Sequence, residues 1–319
     1  MPYAPLGAWR QGVLRLHQSR TRGLRPWSRS LSLTADVDRR APRGLQRRIG
    51  RALRPPIGTD PAEIAALIAS FRPVSVAGPA RALIAVGHHL EHHEHHERSA
   101  RPRAVGTFGE SLVPENRRAI GELFGVDPAD AYGMAEAGTI AWQCGRRDLY
   151  HLDHDGLIVE VLDGDGRPVG PGEAGEVVVT TLWNPLLPLV RYRTGDAAVP
   201  ADRPCACGHR LPCLVRVEGR LLDWLVDGAG RRVAPQRLWL SEHLDGDALV
   251  GIEQYRVVQA ADRAVRVEVV ERSAVADRSL QDAAAAYGTL LGVPVEVVRV
   301  GSIEPEPSGR YRIFRSAAT

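Results

Sequence analysis

The chain has 319 residues, 44% of them hydrophobic and 25% charged, and a formal net charge of +3. That is long enough for two domains, one with a sizeable core, and the composition is ordinary for a soluble globular protein. It excludes a membrane-spanning helix, because no apolar run reaches roughly 20 residues, and so small a net charge argues against nucleic acid as a partner of the whole surface.

Two further counts constrain the chemistry. All 41 basic residues are arginine, so no lysine-dependent step can occur in the chain. The four cysteines are spaced like metal ligands rather than like the disulfide frame of a small secreted domain. A reducing, cytoplasmic compartment is expected.

Residues 1–55 carry thirteen arginines against two aspartates and are expected to form an arginine-rich, poorly ordered or partly packed extension. The same composition also suits an arm for anionic surfaces or a transit peptide. A first compact domain is expected over 56–222. Asp60 reads as an N-cap, with Pro61 at the first helical position, Glu63 completing a capping box, and Ile64, Leu67 and Ile68 as the apolar face. A short strand at Val74–Val76 and a helix from Pro79 to about Leu90 follow. This helix runs into a His/Glu tail, where His88, His92 and His96 share one face. With no apolar residue between them, that face reads as a solvated tail rather than a metal site.

Further on, the pattern predicts a strand over 104–110, a helix over Pro114–Phe124 and a strand over Ala129–Tyr132. Strands alternating with helices imply a parallel sheet whose loops gather at the strands' C-terminal edge. After His151 the rhythm changes to short strands with Gly-rich turns at 156–162 and 175–181, suggesting a small antiparallel sheet or distorted barrel. From Asp223 a second unit is expected over 223–319. It would hold a hairpin at 224–234, a helix from Pro235, strands over 252–259 and 264–270, a helix over 280–291, and strands near 295–300 and 311–314. The fold class is α/β, followed by a small α+β domain of normal size.

Three constellations stand out between Asp130 and Asp223. Cys144 and His151 are separated by six residues, and Cys205-Ala-Cys207 places two thiolates in one turn. A CxC turn with a Cys/His pair from another loop makes a closed tetrahedral Zn²⁺ site, structural because it has no open position. Cys213 is a spare that could replace His151 as fourth ligand. Asp196, in Arg193-Thr-Gly195-Asp196, is expected to end a strand, where a carboxylate accepts from both ribose hydroxyls of a nucleotide.

The order Tyr132-Gly133-x-x-Glu136, Cys144-x6-His151, Arg191-Tyr-Arg-Thr-Gly-Asp196, Cys205-Ala-Cys-Gly208 and Gly219-Arg-x-x-Asp223 resembles the phenylacetate–CoA ligase branch of the adenylate-forming enzymes. Likeness extends more weakly from about Phe71 to the C-terminus. The resemblance implies a core domain with a β subdomain and a mobile C-terminal lid, shortened at the N-terminus. It implies ATP or AMP, Mg²⁺ and CoA as ligands, and a small carboxylic acid as substrate. By resemblance, Tyr132 and Gly133 lie against adenine, Glu136 holds Mg²⁺, and Asp196 takes the ribose. Arg220 contacts ribose or phosphate, and Asp223 is the hinge. Phe108, Gly109, Glu110, Tyr132 and Gly138 match the walls of the acid pocket, sized for an aryl or short acid.

The chain departs from this family at its phosphate contacts. No Ser/Thr/Gly-rich phosphate loop is found, Ala135 stands where a hydroxyl residue precedes the glutamate, and Arg310 replaces a lysine after Gly309. Each preorganised donor lost typically costs about 10²–10³ in rate. Two readings follow. One is an impaired acid-activating ligase, alone or with a partner chain or second copy supplying the missing loop. The other is a non-catalytic protein that keeps nucleotide or acyl binding for a scaffolding or regulatory role.

Overall fold

The computed structural model describes residues 13–14, 18–25, 27–34, 52–92, 101–240, 243–244, 248, 251–304 and 312–318. Two compact units divide the chain: Met1–Thr194 with Ala198–Val217, and Gly195–Ala197 with Glu218–Thr319. The His93–His96 run and the Ser308-Gly309-Arg310 segment lie outside the described residues, as does most of the arginine-rich segment.

The first unit starts within that segment: β1 (Ser30–Ser32) and β2 (Ala52–Leu53) pair in parallel, and β1 pairs with β3 (Ser75–Gly78). The N-terminal arginine-rich stretch is thus partly built into the sheet, with Leu31 and Leu33 fully buried. Helix α1 (Pro61–Phe71) is capped as the sequence predicts, Asp60 accepting from the amide of Ala62 at 2.8 Å. Its Ile64, Ala65 and Ile68 enter the core with Leu83 and Val86 of α2 (Ala80–His92). Next come β4 (Ala104–Phe108), α3 (Pro114–Phe124) and β5 (Ala129–Met134). Strands β3, β4 and β5 run parallel, as the alternation with helices requires.

The chain then turns back in antiparallel strands: β6 (Gly138–Gln143), β7 (Tyr150–Leu152), β8 (Leu157–Leu162), β9 (Gly175–Thr181), β10 (Tyr192–Pro200) and β11 (Cys213–Arg220). These do not form the separate small sheet expected from the sequence. The single sheet has eleven strands in the order β2-β1-β3-β4-β5-β6-β7-β11-β10-β9-β8. It is continuous because β6 pairs on one side with β5 and on the other with β7. Alternating apolar residues such as Val177 and Val179 bury one face of the antiparallel half.

In the second unit, a 3-10 turn at Leu221–Asp223 leads to the hairpin of β12 (Leu225–Val226) and β13 (Arg232–Val233). The helix expected from Pro235 is only a 3-10 turn, Pro235–Leu238. Strands β14 (Ile252–Gln259) and β15 (Val265–Glu271), helix α4 (Asp277–Leu291), and strands β16 (Val295–Arg299) and β17 (Phe314–Ser316) complete it. Its four-stranded sheet has the order β16-β15-β14-β17, and α4 covers it with Leu280, Ala283, Tyr287 and Leu291. The Gln259 side chain is buried and pairs with both the amide and the carbonyl of Val226, at 2.8 and 2.7 Å. It thereby supplies the bonds of an extra strand residue and fastens the hairpin to the sheet.

Candidate functional site

The metal constellation assembles at one end of β6, β7 and β11. Cys144 directly follows β6, His151 lies in β7, and Cys205 and Cys207 occupy the turn between β10 and β11. The ligand atoms of these four residues all lie within 4.8 Å of one another. Cys144 Sγ is 3.6 Å from Cys205 Sγ, and Cys207 Sγ is 3.5 Å from His151 Nε2. Cys144, His151 and Cys205 are buried and Cys207 half-buried. Three soft donors and one imidazole in so small a volume fit Zn²⁺ by the chemistry of the donor set.

The surroundings suit that reading. The amide of Arg146 points at Cys144 Sγ at 3.4 Å, and Cys205 Sγ donates to Asp148 Oδ1 at 3.1 Å. Burial pushes the Cys205 thiol well above its ordinary value and raises that of Cys213. Burial also acts to raise Asp148, but hydrogen bonds from Cys205, backbone amides and Arg203 outweigh it and hold the carboxyl low. Cys213 is not in the four-atom cluster: its sulfur faces the other ring nitrogen, His151 Nδ1, at 3.7 Å.

The metal corner continues into the sheet as two rows of facing residues. Phe108, Ala131, Trp142, His151 and Cys213 are successive register partners across β4, β5, β6, β7 and β11. In the neighbouring row, Thr107 faces Asp130 and Gln143 faces Tyr150. Asp130 joins them: Thr107 Oγ1 donates to it at 2.6 Å, Tyr150 Oη at 2.8 Å, and its amide donates to Gln143 Oε1 at 3.0 Å. Burial raises the Asp130 carboxyl above its usual range, and burial lowers Arg22 to about 10, with the Asp130 charge acting to raise Arg22 in part. Arg22 reaches in from the N-terminal segment, its Nε donating to the Gln143 carbonyl at 3.2 Å. Neither Arg22 nor Asp148 carries a spacing that marks it in the sequence; only the fold brings them here.

The residues expected at the acid and adenine pockets sit on adjacent parallel strands. Phe108 ends β4, Gly109 follows at φ +82°, and Glu110 is half-buried beside it. Tyr132 and Gly133 lie near the end of β5, and Glu136 is in the turn to β6, which Gly138 opens at φ +77°. Gly133 has a structural reason of its own: a Cβ there would stand 2.4 Å from the Gly138 carbonyl oxygen. The Tyr132 hydroxyl bonds Thr194 Oγ1 at 3.4 Å, and Thr194 in turn donates to the Val177 carbonyl. The C-terminal edge of a parallel sheet is where α/β folds bind ligands.

Asp196 does not end a strand as expected. β10 runs on through Asp196 to Pro200, with Gly195 at φ +73° just before the carboxylate. In the second unit Asp196 pairs with Arg220 at 4.0 Å, a loose pair whose arginine is mostly exposed. Asp223 lies in the 3-10 turn and is ion-paired with Arg312. Arg310 lies outside the described residues. Among the described residues no helix is long and apolar enough to cross a membrane.

Comparisons with known proteins bear on the sequence and the fold. The family model described as "AMP-binding enzyme" matches residues 51–184. A phenylacetate–coenzyme A ligase of Thermus thermophilus is 32% identical over 114 residues, 34% of this chain and 26% of that protein. One from Escherichia coli K12 is 29% identical over 196 residues, 60% of this chain and 44% of that protein. The chain thus spans less than half the length of these relatives. The fold is similar to that of 2-hydroxyisobutyryl-CoA ligase in its postadenylation state, with a TM-score of 0.75, 20% identity, and coverage of 98% of this chain and 70% of that one. It is similar also to the anthranilate CoA ligase AuaEII, with a TM-score of 0.68, 16% identity, and coverage of 98% and 63%. By family model, relatives and fold together, the chain is similar to the phenylacetate–CoA ligase-like branch of the adenylate-forming enzymes.

Proposed function

We propose that this chain carries a carboxylic-acid-activating site of the ATP-dependent, AMP-forming type, acting on an aryl or short-chain acid. The observation that carries the reading is the placement of the Phe108-Gly-Glu110 and Tyr132-Gly133 segments at the same edge of two adjacent parallel strands. In the reaction a carboxylate oxygen of the acid attacks the α-phosphorus of ATP and pyrophosphate leaves. The thiolate of CoA then displaces AMP from the acyl carbonyl. Tyr132 and Gly133 face the adenine and Asp196 accepts from the ribose hydroxyls. Glu136 holds Mg²⁺, Arg220 contacts ribose or phosphate, and Asp223 serves as the hinge of the C-terminal lid. Arg310 takes the place of the family's lysine, offering a broad planar charge instead of a compact ammonium. Catalysis of this type rests on positioning and electrostatics. Acid-dependent ATP–pyrophosphate exchange by the purified chain tests the reading, and no exchange across a broad panel of acids overturns it.

A second reading is favoured by Ala135, which offers no side-chain hydroxyl, together with the lysine-free composition. On it the chain binds nucleotide or acyl group without turnover. Calorimetric binding of AMP by a chain that shows no exchange selects it.

The same proposal includes a structural Zn²⁺ held by Cys144, His151, Cys205 and Cys207. What supports it is the buried four-donor cluster. Bound there, the metal would cross-link the loop after β6, strand β7 and the 205–207 turn, and with four protein donors it offers no position to substrate. Metal analysis is expected to give close to one zinc per chain. Reduced thiols at such a site suit a cytoplasmic protein.

A further inference from the structure

The geometry points to Cys213 as the residue that orients His151 for metal binding, rather than as a ligand. This rests on the metal site proposed above. Cys213 and His151 are register partners across antiparallel β11 and β7, so the sheet itself holds the sulfur against the ring. The two ring nitrogens face different sulfurs. Nε2 looks toward Cys207 at 3.5 Å, inside the four-donor cluster, and Nδ1 looks toward Cys213 at 3.7 Å, outside it.

The Cys213 proton is already engaged, because its thiol donates to the Leu211 carbonyl at 3.2 Å. The sulfur therefore turns its lone pairs toward Nδ1 and can only accept there. That favours the tautomer with hydrogen on Nδ1 and leaves the Nε2 lone pair for a metal. Histidine ligands are commonly set in this way by a carboxylate or carbonyl on the second nitrogen; here a thiol does it. Trp142 and His209, each with its ring centroid 6.0 Å from that of His151, further confine the imidazole. For Cys213 to bind the metal itself, His151 would have to leave the position in which β7 holds it. The choice between these two residues as fourth ligand, open from spacing alone, is decided by which ring nitrogen each sulfur meets.

Cobalt(II) on the full-length, metal-free, reduced chain tests this, because sulfur-to-cobalt charge-transfer absorption scales with the number of thiolate ligands. Cys213→Ala should leave that absorption per bound cobalt unchanged while weakening cobalt affinity about 10- to 100-fold. Cys213→Ser should restore most of the affinity, since a hydroxyl can both donate to Leu211 and accept from Nδ1–H. A drop in absorption by one thiolate's share in either variant makes Cys213 a ligand and overturns the inference, and so does unchanged affinity in Cys213→Ala. Should the alanine variant fail to fold, the serine variant decides on the absorption alone. A wild-type chain that takes up no cobalt removes the metal site itself, a failure separate from the other two.

Discussion

The Cys/His corner and the Asp196–Arg220 edge of this protein are built on opposite principles. At the corner the donors are mostly buried and held by one another: four within 4.8 Å, a thiol on the far side of His151, and a carboxylate, Asp130, bonded by Thr107, Tyr150 and the adjacent Ala131 amide. At the edge, Asp196 and Arg220 lean toward each other at 4.0 Å with the arginine largely in solvent, a contact that a ligand can replace at small cost. The first arrangement stores stability and the second leaves capacity for binding. Polar groups in a core must be satisfied by the fold, whereas a pair with one member largely in solvent can exchange partners at small cost.

The comparison can be broken most directly at Asp130. Asp130→Ala strands the buried Thr107 and Tyr150 hydroxyls that it bonds and opens a cavity in the core, so the first unit should lose about 3–5 kcal/mol in chemical denaturation. The pH dependence has a definite sign. Burial raises the folded-state pKa of Asp130 above the reference 3.8, so the folded protein holds this proton more tightly than the unfolded chain. Its contribution is full below pH 3.8 and is lost as pH rises through the folded value. Wild type compared with Asp130→Asn should therefore fare relatively better near pH 4 than at pH 7.

Comparable in size would be the loss of the proposed Zn²⁺. Cys205→Ser, or chelation, should lower stability by about 4 kcal/mol, what a ligand at a thousand times its Kd supplies, and thermal unfolding with and without chelator measures it. Smaller is Gly133→Ala, at about 1–3 kcal/mol, because the added methyl meets a backbone carbonyl that cannot move aside easily. The smallest stability change should come from Arg220→Ala, below about 1 kcal/mol, as for exposed ion pairs generally. Its AMP affinity, read by calorimetry, should nevertheless fall about tenfold or more, as for a lost charge-assisted hydrogen bond. If Arg220→Ala destabilises the fold as much as Asp130→Ala, the contrast between corner and edge is wrong.

Much of this was legible in the residues. Asp60-Pro61 marked the start of α1, Pro114 and Phe124 marked both ends of α3, and Gly175 and Thr181 both ends of β9. Local signals suffice there because capping, proline geometry and alternation act within a few residues. The 3-10 turn at Pro235 shows the limit, since a proline can start a helix but does not determine its length. Asp196 shows another: its strand continues past it because pairing with neighbouring strands outweighs the turn signal of Thr-Gly-Asp.

By itself the sequence determined the family resemblance, the donor types of the Cys/His cluster and the alternation that makes half the sheet parallel, since these depend on residue identity and short spacings. The tertiary structure alone decided that the two halves of the sheet are continuous and that Arg22 reaches Gln143 from 121 positions away. It alone also decided that His151 meets Cys207 with one nitrogen and Cys213 with the other. Those outcomes depend on strand register and on which groups burial forces to find a partner, and both are properties of the assembled sheet.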